Sequence, residues 1–216
     1  MKNTYGWKKT AGLSRQNKIY YDRVIKMCGR YTLFDNTDSE EIRQILNILQ
    51  KKQGGPIRTG EIFPTNKAPA LVLENNKVQP ELITWGFPSF QSKGVIINAR
   101  GESLQEKKMF RTPFVAGRCV IPSTGFYEWS HDSKKQKYLF NVSATSALYM
   151  AGLYAHFDSE YRFVIVTVAA NFDMQPVHNR MPLVLTHDGV SQWIRNQEQA
   201  VSLLTDTLPT LRKTAM

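Results

Sequence analysis

The chain has 216 residues, 42% hydrophobic and 21% charged, proportions that fit one globular domain and exclude a disordered or fibrous chain. Its two cysteines, Cys28 and Cys119, are too few for a disulfide framework or a structural zinc site. The net charge of +10 favours a polyanionic partner, nucleic acid first, but it is unevenly spread: residues 1–26 hold seven Lys/Arg against one Asp, a surplus of +6, leaving only +4 for 27–216. The histidines at 131, 156, 178 and 187 lack the spacing of a helical zinc site, so no metal is expected. No apolar run approaches the roughly 18 residues of a membrane span, and no apolar stretch follows the early lysines as in a secretory signal. The chain is therefore expected in the cytosol, off the membrane.

Residues 1–26 show no clear helical or strand period and read as a basic arm, with a domain following over 27–216. Residues 28–34 read as a short strand or extended start. Asp38 and Ser39 offer a cap to a helix carrying Ile42, Ile45, Leu46 and Leu49 on one face, stopped by Gly54 and Gly55. Strands over Ala70–Glu74 and Val78–Trp85 flank a turn at Asn75-Asn76. Val95–Ala99 reads as a strand and Glu102–Met109 as a short helix. Strands over Arg118–Pro122, Tyr138–Val142, Ala147–Tyr154, Phe163–Ala169 and Leu183–Leu185 make the middle strand-rich. Two short helices, Val190–Arg195 capped by Asp188 and Glu198–Leu204, are expected to close the chain. Segregated strands with peripheral helices predict an α+β fold in one domain. The loops GxGxxG and GxxxxGK[ST] are absent, which disfavours a nucleotide cofactor.

Four clusters concentrate chemistry: Cys28-Gly29-Arg30-Tyr31; Asn98-Ala99-Arg100-Gly101-Glu102; Arg118 to Pro122 running on to Gly125-Phe126-Tyr127-Glu128-Trp129; and Thr167 to Asn171 followed by His178-Asn179-Arg180-Met181-Pro182. Each residue alone has an ordinary account. A lone Cys is most often a small buried apolar group, Glu128 fits the outward position of an alternating strand, and His178 or Asn98 fits a loop. Together they supply a nucleophile, an orienting amide and two acid/base groups, though spacing alone does not show that they converge.

Taken jointly, these motifs, with Trp85-Gly86 and Ala151-Gly152-Leu153, resemble the SRAP family, the SOS-response-associated peptidases or abasic-site processing proteins. The resemblance covers about Met27 to Leu185. Asn179 stands where the family usually has Asp, and Cys28 lies 27 residues in, where the family places it directly after the initiator Met. The resemblance implies a single α+β domain, strand-rich with short peripheral helices. It also implies a monomer acting on abasic sites in single-stranded DNA, without cofactor or metal.

In that reading an N-terminal Cys28 offers the aldehyde at C1′ both an α-amine and a thiol, which close a thiazolidine. Asn98 holds the cysteine or its adduct, Glu128 moves protons at the amine, and His178 protonates the sugar ring oxygen. Arg100 and Arg180 are expected to contact phosphates and Trp85 a flanking base; salt-bridged arginines and a core indole are the competing accounts. A Schiff base at C1′ also acidifies the C2′ protons, so strand cleavage by β-elimination is an allowed side activity. The amine is free only if residues 1–27 are absent, through a start at Met27 followed by Met removal or through a cut before Cys28. Two rivals remain open: a cysteine peptidase, general or self-processing, built on Cys28, His178 and Asn98, and a non-catalytic single-strand DNA binder.

Overall fold

The computed structural model describes residues 29–90, 93–131, 133, 135–142 and 146–216; the expected basic arm over 1–26 and Cys28 lie outside these. Two sheets carry the described chain. The first is five-stranded and antiparallel. Its members are β1 (Tyr31–Leu33), β2 (Gly60–Ile62), β9 (Gly125–Trp129), β10 (Lys137–Val142) and β15 (Leu211–Ala215), in the order β15-β10-β9-β1-β2.

The second sheet is built on β3 (Lys67–Glu74), β4 (Lys77–Trp85), β8 (Arg118–Ser123), β11 (Leu148–Phe157) and β12 (Glu160–Ala169). Pairings run β12-β4-β3-β8-β11 and return from β11 to β12, closing a five-stranded ring. Closure leaves no free edge in that ring. Three short strands attach to it: β7 (Asn98–Arg100) and β13 (Arg180–Pro182) on β12, and β14 (Val184–Leu185) on β11. A small hairpin of β5 (Phe87–Pro88) and β6 (Val95–Ile96) lies between β4 and β7.

Local chemistry explains most of these elements. The β3–β4 turn puts Asn75 and Asn76 at φ 49° and 60°, the left-handed pair a tight hairpin demands and asparagine tolerates. Helix α1 (Glu40–Gln53) is capped by the Ser39 hydroxyl, which accepts from the Ile42 N–H, and ends at Gly54 in the left-handed region. It buries Ile42, Ile45, Leu46 and Leu49, the face its spacing predicts. Core aromatics join the sheets: Trp85 stacks parallel to Phe163 at 6.2 Å between centroids and lies 5.3 Å from Tyr31.

Several elements depart from expectation, and the expected Val95–Ala99 strand is broken at Ile97 into β6 and β7. In place of a helix over Glu102–Met109, a 3-10 turn (Gly101–Ser103) precedes α2 (Lys108–Ala116). Pro113 sits inside α2 without an N–H to give Met109, yet Phe110, Pro113 and Phe114 are all buried, and their burial outweighs the missing bond. The cap of α3 (His187–Arg195) is Thr186, whose hydroxyl accepts from the Gly189 N–H, while Asp188 stands in the first turn. The expected Leu183–Leu185 strand is shortened to β14, with Leu183 between it and β13. The chain closes with β15 after α4 (Gln197–Leu203), because 211–215 pairs antiparallel along β10 and α4 is not the last element.

Candidate active site

The first motif enters the site along β1. Tyr31 and Thr32 pair with Phe126 and Gly125, and the Tyr127 N–H donates to the Arg30 carbonyl at 2.9 Å. The chain therefore runs antiparallel beside β9 toward Gly29. A Cβ on Gly29 would lie 3.9 Å from Ile97 Cδ1, so the residue bonded to Cys28 sits beside the entry to β7 and Asn98. Cys28 itself is outside the described residues.

Close packing at Gly125 fixes β9. A Cβ there would come within 2.6 Å of Asn141 Nδ2 and 2.8 Å of the Phe140 carbonyl oxygen, so only glycine allows β10 to approach. The strand then carries Glu128 inward, 4% exposed, in place of the outward position that simple alternation would give it. Burial of a carboxylate is costly unless it is bonded, and Glu128 Oε1 accepts the Trp129 N–H at 3.2 Å.

Asn98 is positioned from the other sheet. β7 runs parallel to β12, with Asn98 opposite Ile165 and Arg100 opposite Thr167. Trp85 secures the approach, its indole N–H donating to the Ile97 carbonyl at 3.0 Å. This corrects the expected role of Trp85: at 0% exposure, held between Tyr31 and Phe163, its faces are unavailable to a nucleobase. The indole is a core group that braces Asn98.

His178 comes from the loop between β12 and β13 and is 8% exposed. Its Nδ1 accepts the Arg180 N–H at 2.9 Å, which leaves the ring proton on Nε2. Burial lowers its pKa to about 4, helped by nearby His131. In the free protein the ring is therefore neutral near pH 7, in contrast to the mixed protonation expected from an unperturbed imidazole. Near pH 7 it offers Nε2–H as a hydrogen-bond donor.

The two arginines separate. Arg100 is exposed at the end of β7. Arg180 is committed: its guanidinium bonds both oxygens of Glu102, and the Thr167 carbonyl at 2.7 Å. The hydrogen bonds from Arg180 hold the Glu102 carboxyl below the usual carboxylate range.

Several residues at the rim were not singled out from sequence. Glu61 on β2 accepts from Arg30 at 3.1 Å and from Lys137 at 2.9 Å, and its pKa is lowered, chiefly by Lys137. The Arg30 guanidinium lies 4.4 Å above the Phe63 ring and 5.3 Å from that of Trp129, and the Lys137 ammonium 3.7 Å above Tyr127. His131, two residues beyond Trp129, brings its ring centroid to 4.6 Å from that of His178. Its place just after the Glu128 motif was the one available signal. Cys119, by contrast, is fully buried in β8, and burial pushes its thiol far up, away from the reactive thiolate.

Gly29 thus runs beside β9 and by Ile97, the residue before Asn98, while the His178 ring meets His131, three residues beyond Glu128. Among the described residues there is no group of three or more His, Cys, Asp or Glu placed to hold a metal, and no helix long and apolar enough to cross a membrane.

The two-sheet α+β architecture is shared with solved structures. These include a Bordetella bronchiseptica protein (TM-score 0.70, 19% identity, covering 88% of this chain and 99% of that one) and a Bacteroides thetaiotaomicron protein (TM-score 0.65, 23% identity, 88% and 92%). The family model described as SOS response associated peptidase (SRAP) matches residues 27–216, and the chain belongs to that family. Curated relatives include the abasic site processing proteins YoqW of Bacillus subtilis (31% identical, covering 78% of this chain and 80% of that protein) and YedK of Escherichia coli (26%, 79% and 81%).

Proposed function

We propose that this protein captures abasic sites in single-stranded DNA as a covalent adduct on Cys28 and so shields the lesion. The carrying observation is the position of Gly29: the residue covalently bonded to Cys28 runs beside the strand of Glu128 and packs by the Ile97-Asn98 entry. Two relatives named as abasic site processing proteins, each aligned over more than three quarters of this chain, support the substrate class. The family match beginning at residue 27 agrees with a working form that starts there.

The chemistry follows from an aminothiol meeting an aldehyde. The neutral α-amine of Cys28 adds to C1′ of the ring-opened sugar, and the carbinolamine loses water to give an imine. The Cys28 sulfur then adds to the imine carbon while the nitrogen takes a proton, closing a five-membered ring. One water leaves and no oxidant is needed. An α-amine with a pKa of about 8 supplies a useful neutral fraction near pH 7.

Buried Glu128 accepts the ammonium proton and returns it to the departing hydroxyl. Asn98 orients the cysteine. Neutral His178 donates from Nε2 toward the sugar oxygen, and this replaces the imidazolium acid that an unshifted pKa would provide. Arg100, open to solvent, meets a phosphate. The imine also acidifies C2′, which permits strand cleavage by β-elimination as a side reaction.

The test uses protein starting at Met27 and an oligonucleotide with one abasic site. The expected result is a denaturation-resistant adduct whose mass is the sum of the two partners less one water, absent in Cys28→Ala and retained in Cys119→Ser. An undiminished adduct in Cys28→Ala overturns the proposal.

A further inference from the structure

The loop after β9 carries a second imidazole to the site. The hairpin base is closed by two bonds, Ser130 N–H to the Gln136 carbonyl and Gln136 N–H to the Ser130 hydroxyl, each 2.9 Å. His131 is the first residue beyond that closure, so a rigid ladder sets its starting point. Its ring lies tilted 47° to that of His178 with the centroids 4.6 Å apart. His131 is exposed whereas His178 is 8% exposed, so the outer ring forms part of the solvent-side cover of the inner one. Among the described residues, Arg180 also bears on His178, its backbone N–H bonding Nδ1 and its guanidinium bonding the Glu102 carboxylate.

We propose that His131 is a positioning residue for His178: leaning on it from the β9–β10 loop, it excludes water from that imidazole and keeps it as the Nε2–H donor. The proposal rests on the capture reaction above for its functional meaning, but its structural content stands apart from DNA. Two imidazoles at this separation also resist simultaneous protonation, because like charges disfavour each other. A protonated His178 would place a proton on Nδ1 and break the bond from the Arg180 backbone. The cover therefore serves the loop geometry as well as the ring.

The experiment compares wild type, His131→Ala and His131→Phe in the Met27-start protein. The His178 ring resonances are titrated by NMR without DNA, and single-turnover capture is measured from pH 5 to 8. In wild type the Cys28 amine must lose its proton to react, so capture falls about tenfold per pH unit on its acid side. In His131→Ala solvent reaches His178 and its titration moves upward toward the ordinary imidazole value. The acid limb of capture then steepens toward about a hundredfold per unit, because the amine must lose its proton and a proton on His178 Nδ1 would break the Arg180 bond that orients the ring. His131→Phe keeps an aromatic cover without charge and restores both readouts. A His178 titration unmoved in His131→Ala overturns the proposal whatever capture does. A wild-type protein that forms no adduct overturns the proposed function instead, and the titration still decides the role of His131.

Discussion

Replacing Glu102 by Gln isolates the question of what Arg180 is for. In the free protein its guanidinium is held by both Glu102 oxygens and by the Thr167 carbonyl, so a phosphate would have to displace the carboxylate. The Glu102 side chain is 61% exposed and that of Arg180 17%, which puts the pair near the surface regime, worth about 0.2–1 kcal/mol after screening. Glu102→Gln should therefore lower Tm by no more than about 4 °C for a chain of this size. It should also free the guanidinium and tighten binding of undamaged single-stranded DNA by roughly up to fivefold, the ratio that about 1 kcal/mol gives. One added phosphate contact steepens the salt dependence by about 0.7 in log–log slope. Fluorescence anisotropy of a labelled oligonucleotide from 50 to 200 mM salt reads both quantities. Unchanged or weaker binding with an unchanged slope would show that Arg180 is a strut for the His178 loop and refute its use as a phosphate contact.

Two other predictions concern buried charge. Arg118, 8% exposed, donates to the carbonyls of Phe114 and Val115 at the end of α2 and to those of Trp193 and Ile194 in α3. Arg118→Met strands those carbonyls and should cost about 3 kcal/mol, lowering Tm by roughly 6–12 °C in a thermal melt; a shift under about 2 °C would contradict the account. Glu128→Gln keeps the shape of the buried side chain but removes its proton acceptor, and should slow single-turnover capture by about a hundredfold at an unchanged Tm. Equal rates for the two proteins would remove Glu128 from the mechanism.

Elements set by local chemistry were legible in the sequence. The Ser39 cap, the Ile42-Ile45-Leu46-Leu49 face and the Asn75-Asn76 turn each follow from neighbours within a few residues. Where tertiary burial decides, sequence misleads: Pro113 is tolerated inside α2 because both aromatic neighbours are buried, and 211–215 is a strand only because β10 offers an edge. The site shows the same division. Asn98, Glu128 and His178 stand in motifs that mark them as a set, and the structure puts Gly29 beside β9 and Ile97 and His131 against His178. Trp85 stands in a motif as well, yet no spacing rule distinguishes an indole that stacks on a base from one sealed between Tyr31 and Phe163. The low pKa of His178 was equally invisible, since it arises from burial and from His131, 47 residues away in the chain. Long-range contacts carry that information, and a single sequence does not display them.

The segment before Cys28 provides the most direct challenge to the aminothiol mechanism. An internal cysteine presents an amide nitrogen, whose lone pair is delocalised into the carbonyl and does not add to an aldehyde. With residues 1–27 attached, only the thiol could react, and a thiohemiacetal at C1′ reverts readily in water. A protein beginning at Met27, after loss of that Met, has 189 residues and a free amine; this form should capture abasic DNA quickly and resist denaturation. Full-length protein should capture only after the peptide bond between Met27 and Cys28 is cut, whether by a cellular enzyme or by its own site. Intact mass of both proteins before and after mixing with abasic DNA separates these cases. In the full-length sample every adduct should carry the mass of the shortened chain. An adduct that retains residues 1–27 and forms at the rate of the shorter protein would refute the thiazolidine and require a side-chain linkage in its place.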